Sequence, residues 1–161
     1  MPKHPSGLSH IDESGAAHMV HVGKKPSTDR VARAEAVVRM GPAAMKFLTA
    51  ADSPKGDVLA AARIAGIQGA KRTSELIPLC HNIPLDGVEI QFELGETLRI
   101  EASARALART GVEMEAMTAA SVAALTVYDM LKAVDRWMTI ERVQLLEKRG
   151  GKSGELIRPA P

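Results

Sequence analysis

The chain has 161 residues, enough for one domain with a sizeable core, and its 45% hydrophobic and 25% charged content is ordinary for a globular protein. A net charge of +2 argues against a nucleic-acid binder held by bulk electrostatics, and 2% aromatic content removes the stacking surface of single-strand binders. The one cysteine, Cys80, excludes an intrachain disulfide and favours a reducing compartment. Since the sequence lacks the apolar pattern of a signal peptide or a membrane span, we expect a cytoplasmic protein that binds no membrane.

In the first half of the chain, the pattern predicts short strands and two helices. Residues 1–10 are rich in Pro, Ser, Gly and His, and we expect them to be flexible. Strands are predicted over residues 18–22 and 34–40. One helix is predicted over residues 42–51, with proline at its start, and a second over residues 58–76, with Asp57 as its N-cap. Gly66 and Gly69 cost helix stability, so we expect them to admit another backbone at close range.

In the second half, the pattern predicts a hairpin, a long helix and a last strand. The hairpin strands are expected over residues 88–94 and 98–107, the long helix over 111–134 and the last strand over 137–146. The tail over residues 150–161 is rich in Gly and Pro, and we expect it to be flexible. With no internal repeat or linker, residues 1–161 are predicted to be a single domain. Hairpin strands combined with long helices predict an α+β fold, in which a mainly antiparallel sheet has its helices on one face.

The long helix carries charges at both ends of an alanine-rich middle. Glu113 and Glu115 lie near its start, while Asp129 and Lys132 lie near its end. Glu115 and Asp129 fall on one helical stripe but are separated by about 21 Å along the axis. One small reacting centre therefore cannot touch both ends in the same subunit, so either the ligand is long or a second chain brings the opposite end alongside.

Several charged positions allow two interpretations. Asp129 and Lys132, three residues apart, form either a surface ion pair or a proton-transfer unit. Lys55, just before a helix start, is either a solvated loop lysine or part of an anion site. Lys71 and Arg72 lie near a helix end, where cations are favourable for structural reasons alone.

A rigid loop over residues 78–82 carries the only cysteine and a histidine next to it. Adjacent residues seldom chelate one metal, and a catalytic Cys–His pair normally comes from separate segments, so neither a metal site nor covalent catalysis is expected. His81 is better suited to hydrogen bonding or acid–base work, or to a purely structural role. The segment Gly150–Gly154 is not a P-loop, because Leu146 stands where that motif requires glycine.

Taken together, three long segments resemble the cyclic pyranopterin monophosphate synthases of molybdenum-cofactor biosynthesis, the accessory-protein-C family. The segments are KGDVLAAARIAGIQGAKRTSELIPLCH, TGVEMEAMTAASVAAL and TVYDMLKAV. The resemblance implies a ferredoxin-like fold and a homohexamer, a trimer of dimers with sites at subunit interfaces. It also implies a lyase that converts 3′,8-cyclo-7,8-dihydroguanosine 5′-triphosphate, made by an upstream radical enzyme, to cyclic pyranopterin monophosphate and pyrophosphate. No metal cluster or organic cofactor is implied, while Mg²⁺ with the triphosphate is left open.

The resemblance also implies roles for individual residues. Asp129, Lys132 and Lys55 match catalytic positions, and Lys71, Arg72 and Arg30 are candidate phosphate contacts. The substrate-binding positions are Leu79, Cys80, His81, Met114, Glu115 and, beside them, Glu113. The chain departs from the family pattern at His21, Gly69 and Leu131, which concern local packing. Two rival interpretations are a non-catalytic nucleotide-binding scaffold of the same fold and another ferredoxin-like enzyme acting on nucleotides.

Overall fold

The structure, a computed structural model, describes residues 9–12, 14–49 and 57–159. Its elements are β1 (Thr28–Arg39), α1 (Pro42–Thr49), α2 (Val58–Lys71), α3 (Thr73–Leu76), β2 (Gly87–Leu94), β3 (Leu98–Ala108), α4 (Glu113–Leu131), β4 (Thr139–Arg149) and β5 (Leu156–Ile157). The strands form one sheet in the order β2-β3-β1-β4-β5, and every described pairing is antiparallel. The helices pack on one face of this sheet. The predicted α+β, ferredoxin-like class is confirmed.

Small side chains on the central strands let the helices approach the sheet closely. Alternate residues of β1 and β3 face the helices and are fully or almost fully buried, namely Ala32, Ala34, Ala36 and Val38 with Leu98, Ile100, Ala102, Ala104 and Ala106. They pack against an equally small face of α4, formed by Ala116, Ala119, Ala120, Ala123 and Ala124. An aliphatic, alanine-rich core therefore fixes α4 across the middle of the sheet.

On its other face, the sheet carries a charged network around Glu35, which is only 4% exposed. Its carboxylate accepts hydrogen bonds from Arg99 Nε at 2.5 Å, Arg142 Nε at 3.0 Å and Gln144 Nε2 at 2.7 Å. A buried carboxylate is tolerated when it is paired and hydrogen-bonded, and this one is satisfied from both neighbouring strands. The network thus joins β1 to β3 and β4.

Most elements lie where the sequence predicted them, with three differences in the first half. The predicted strand over residues 18–22 is wrong, because this segment is irregular and follows an isolated bridge between Ile11 and Ala17. The strand predicted over 34–40 begins earlier, at Thr28. The helix predicted over 58–76 is divided at Arg72, whose backbone N–H is shared among the carbonyls of residues 68–70 before α3 begins.

At the chain ends and in one loop, the predictions have other outcomes. Asp57 is the N-cap of α2, as expected, and its side chain accepts from the Ala60 N–H at 2.9 Å. The tail predicted to be flexible contains β5, which pairs with Glu147 and Lys148 of β4. Residues 1–8 and Lys55 lie outside the described residues. The flexibility of both ends and the single-domain organisation stay predictions.

Candidate functional site

A pocket of about 290 Å³ lies beside the N-terminal end of α4. Two walls come from the loop after α3 and from the segment that leads into α4. The third wall is the N-terminal segment, through Ser9, His10, Val20, Val22 and Lys25. The structure brings together all six residues predicted to bind substrate, because the pocket is lined by Leu79, Cys80, His81, Glu113, Met114 and Glu115.

His81 is held in a defined orientation by a backbone carbonyl. Its Nε2 lies 2.8 Å from the Val20 carbonyl oxygen. Since a carbonyl only accepts, Nε2 carries the proton in this hydrogen bond, which leaves Nδ1 of the neutral ring as a hydrogen-bond acceptor. The loop before it is fixed by the Cys80 N–H, which donates to the Ile77 carbonyl at 3.1 Å. His81 is thus oriented for hydrogen bonding or proton transfer at the pocket wall.

Glu115 is the most perturbed acid of the pocket. It lies in the first turn of α4 and is only 3% exposed. Burial, with a smaller contribution from the charge of nearby Glu113, outweighs the lowering by a backbone hydrogen bond and raises its pKa to about 6. A carboxyl group that titrates near neutral pH can both donate and accept protons. Glu115 therefore has the properties of an acid–base group, although the sequence predicted it only as a binding residue.

Cys80 faces the same pocket in its thiol form. Burial raises the pKa of the thiol, and the charge of Glu115 raises it further. The thiolate is the nucleophilic form of cysteine, so this environment suppresses nucleophilic reactivity. The geometry is in keeping with the expectation that Cys80 contacts a ligand without forming a covalent bond to it.

Asp129 and Lys132 lie at the other end of α4 and do not line this pocket. Lys132 Nζ donates to Asp129 Oδ1 at 2.6 Å, and their side chains are 52% and 70% exposed. This hydrogen bond raises the pKa of Lys132. In the single chain the pair is therefore at the surface, and Lys132 is held as a cation. Glu115 and Asp129 are separated by roughly 21 Å along the axis of α4, so the Asp129–Lys132 pair cannot contact Glu115 within one chain.

The predicted phosphate contacts do not all lie together. Arg30 Nε donates to the Ala108 carbonyl at 3.3 Å, and its guanidinium lies against Gly151, where a Cβ would be 1.9 Å from Nη1. Lys71 and Arg72 are exposed at the end of α2.

Sequence reasoning missed Lys148 and the N-terminal residues that line the pocket. Lys148 is a buried lysine whose Nζ donates to Ser153 Oγ, and the strand register places it opposite Ala32, on the helix-facing side that Arg30 shares. Its position in a strand with alternating polar residues could have drawn attention to it. The N-terminal lining residues carried no such signal, because the weak alternation over residues 18–22 predicted a strand and did not indicate a pocket.

Within residues 9–12, 14–49 and 57–159, no three His, Cys, Asp or Glu side chains cluster as metal ligands would. Over the same residues, no helix has the length and apolarity needed to cross a membrane.

Comparison with known proteins gives a consistent picture. A family model described as the MoaC family matches residues 19–151. A cyclic pyranopterin monophosphate synthase of Thermomicrobium roseum is 57% identical over 150 residues, which cover 91% of this chain and 90% of the relative. A protein of the same name from Herpetosiphon aurantiacus is 57% identical over 155 residues, covering 94% of each chain.

Proposed function

The chain belongs to the MoaC family, and from this membership we propose that it is a cyclic pyranopterin monophosphate synthase, a lyase of molybdenum-cofactor biosynthesis. The observation that carries the proposal is that the six residues predicted to bind substrate all line one pocket. Identity of 57% over nearly the full length of both relatives supports transfer of the activity in their name.

The proposed substrate is 3′,8-cyclo-7,8-dihydroguanosine 5′-triphosphate, supplied by an upstream radical enzyme. Opening and reclosing its rings moves protons without any change of redox state. Attack of a hydroxyl oxygen on the α-phosphorus then forms the cyclic phosphate and breaks the bond to the departing pyrophosphate. The ring steps break and form covalent bonds within the substrate as protons move, and the last step transfers a phosphoryl group. General acid–base catalysis can serve all of these steps, and no organic cofactor is required. A Mg²⁺ ion bound to the triphosphate would be compatible with this scheme.

Asp129, Lys132 and Lys55 are the proposed catalytic residues. The exposed Asp129–Lys132 pair keeps Lys132 protonated, so in this environment it suits a proton donor or a cation beside the leaving pyrophosphate. Glu115, with a pKa of about 6, complements it as the group that exchanges protons near neutral pH. The remaining phosphates would be neutralised by Arg30, Lys71 and Arg72.

A homohexamer built as a trimer of dimers, with sites between subunits, is the proposed assembly. The geometry of α4 supports it, because the pocket at one end and the Asp129–Lys132 pair at the other cannot meet within one chain. Two copies with antiparallel α4 helices would place the pair of each beside the pocket of the other. A cytoplasmic location follows from the expected reducing compartment.

Turnover of the cyclic nucleotide is the direct test. Purified protein with freshly prepared substrate should release pyrophosphate and pterin product in equal amounts, and Asp129→Asn should lose this activity while keeping its assembly. A protein that binds the nucleotide and returns it unchanged would instead be the non-catalytic scaffold. A different product would identify another nucleotide enzyme of the same fold.

Mixing two inactive variants tests the shared site. His81→Ala removes a pocket residue and Lys132→Met removes a residue of the opposite end. If the site joins two subunits, dissociated and reassembled mixtures should recover about a quarter of wild-type activity, because half of the random dimers contain one intact site. A mixture that stays inactive although subunits exchange would place the whole site within one chain.

A further inference from the structure

One wall of the pocket is built by a small hairpin that contributes none of the predicted site residues. In this N-terminal hairpin, described over residues 10–12 and 14–18, Ile11 bridges Ala17, and the His18 N–H donates to the His10 carbonyl at 2.9 Å. His10 on one arm lines the pocket, as does Val20 just beyond the other arm. The shape of the pocket therefore depends on how firmly this hairpin is folded.

The turn of the hairpin is organised by Asp12, which does not itself line the pocket. Its Oδ1 accepts from the backbone N–H groups of Ser14 and Ala16, each at 2.9 Å, and from Ser14 Oγ at 2.7 Å. The Asp12 backbone adds bonds to Ala16 and Gly15. An aspartate side chain that bonds the backbone two and four residues on closes a tight turn.

The hairpin is attached to the opposite wall at one defined contact. Past its second arm, the Val20 carbonyl accepts from His81 Nε2 at 2.8 Å. His81 neighbours Cys80, and both line the pocket. The turn at Asp12 is therefore joined to the pocket wall through the segment that ends in the Val20–His81 hydrogen bond.

We propose that Asp12 is a positioning residue for the substrate pocket: it folds the N-terminal hairpin that holds His10 and Val20 as the wall facing Cys80 and His81. The role in turnover rests on the proposed function, whereas the role in shaping the pocket does not. Asp12 acts through the hairpin and touches no reacting atom.

The first test compares Asp12→Ala with Asp12→Asn, which keeps an accepting Oδ1. Asp12→Ala should raise KM for the cyclic nucleotide by roughly three- to tenfold and change kcat by less than about twofold, since binding and not chemistry depends on this wall. Asp12→Asn should stay close to wild type. Equal KM values in wild type and Asp12→Ala would overturn the proposal, as would a loss confined to kcat.

A second readout does not require activity. Cys80 is the only cysteine, so its alkylation rate by a small maleimide, without nucleotide, reports how open the pocket is. Asp12→Ala should accelerate alkylation several-fold while Asp12→Asn does not. If wild-type protein turned over no substrate but this contrast held, the proposed function would fail and the positioning role would stand. Turnover without the contrast would refute the positioning role alone.

Gly15 provides a variant pair that leaves Asp12 intact, in case Asp12→Ala does not fold. Gly15 has φ +85°, and an added Cβ would meet nothing within 4 Å, so a substitution there acts through the backbone alone. Gly15→Val disfavours this conformation and should reproduce the faster Cys80 alkylation, while Gly15→Asn should be tolerated. Equal alkylation rates in the two variants would contradict control of the pocket by the turn.

Discussion

A Cβ atom at Gly66 would lie 2.9 Å from the carbonyl oxygen of Ala119 and 2.2 Å from Cδ1 of Ile90. Helix α2 therefore contacts the backbone of α4 directly at this point, as the sequence predicted for Gly66. Gly66→Ala should destabilise the protein by about 1–3 kcal/mol, because overpacking outweighs the roughly 1 kcal/mol that alanine gains in helix propensity. Urea unfolding followed by circular dichroism measures the difference.

Gly69→Ala is the matched control for that prediction. The three atoms nearest to its Cβ would all belong to the side chain of Val122, the closest being Cγ2 at 2.8 Å. A side chain can shift where a backbone carbonyl cannot, so this variant should lose clearly less stability than Gly66→Ala. If both variants lost the same amount, the contact with the Ala119 carbonyl would not be what limits the approach of the helices.

The buried carboxyl of Glu115 predicts a specific pH dependence. Its pKa is raised from 4.5 to about 6, so the folded state binds the proton more tightly than the unfolded state. Protonation of Glu115 contributes its full share to the unfolding free energy below pH 4.5, and this contribution is lost as pH rises through about 6. For a pKa shift of this size, the loss amounts to about 2 kcal/mol. Unfolding free energies of wild type and Glu115→Gln, measured from pH 4.5 to 8, give the comparison.

In that comparison Glu115→Gln should be the more stable protein at pH 8, and the gap should close towards pH 4.5. Glu113→Gln serves as the control, since Glu113 is the less buried of the two acids. A difference between wild type and Glu115→Gln that did not change with pH would mean that Glu115 titrates normally and is no acid–base group near neutral pH.

The parts of this structure that follow a regular period could be predicted, and the parts that depend on distant partners could not. The alternation of β3 and the apolar run of α4 located both elements, and Asp57 marked the start of α2 by its chemistry. The break at Arg72 could not be found, since the residues around it favour a continuous helix. Val20 could not be placed at the pocket, because its contact with His81, 61 residues away, leaves no local pattern in the sequence.

The charged face of the sheet should depend strongly on Glu35. Burial alone would raise the pKa of this carboxyl, but hydrogen bonds from Arg99, Arg142 and Gln144 outweigh it and lower the pKa. Glu35→Gln should cost about 3 kcal/mol at pH 7, because it leaves arginines without their buried partner. The stabilisation by the charge is present above the ordinary pKa of 4.5 and is lost as pH falls through the lower folded-state value. Urea unfolding at pH 7 and in acid measures both effects.

The exposed pair of Asp29 and Arg105 provides the control for Glu35. These side chains are 58% and 64% exposed, and the Arg105 guanidinium donates to both carboxylate oxygens of Asp29. Asp29→Asn should cost much less stability than Glu35→Gln, because solvent screens exposed ion pairs. If the two variants were equally destabilised, burial would not be the reason why Glu35 matters.

Cys80 and Glu115 should be coupled through the charge of the carboxylate. Burial is the larger cause of the raised pKa of the Cys80 thiol, and Glu115 adds to it. Glu115→Gln removes the charge and leaves the burial, so alkylation of Cys80 at pH 8 should accelerate by roughly two- to fivefold and the pKa from its pH profile should fall. Glu113→Gln should leave the rate almost unchanged. A faster rate with an unshifted pH profile would mean that the substitution opened the pocket, so the profile and not the rate decides whether charge links the two residues.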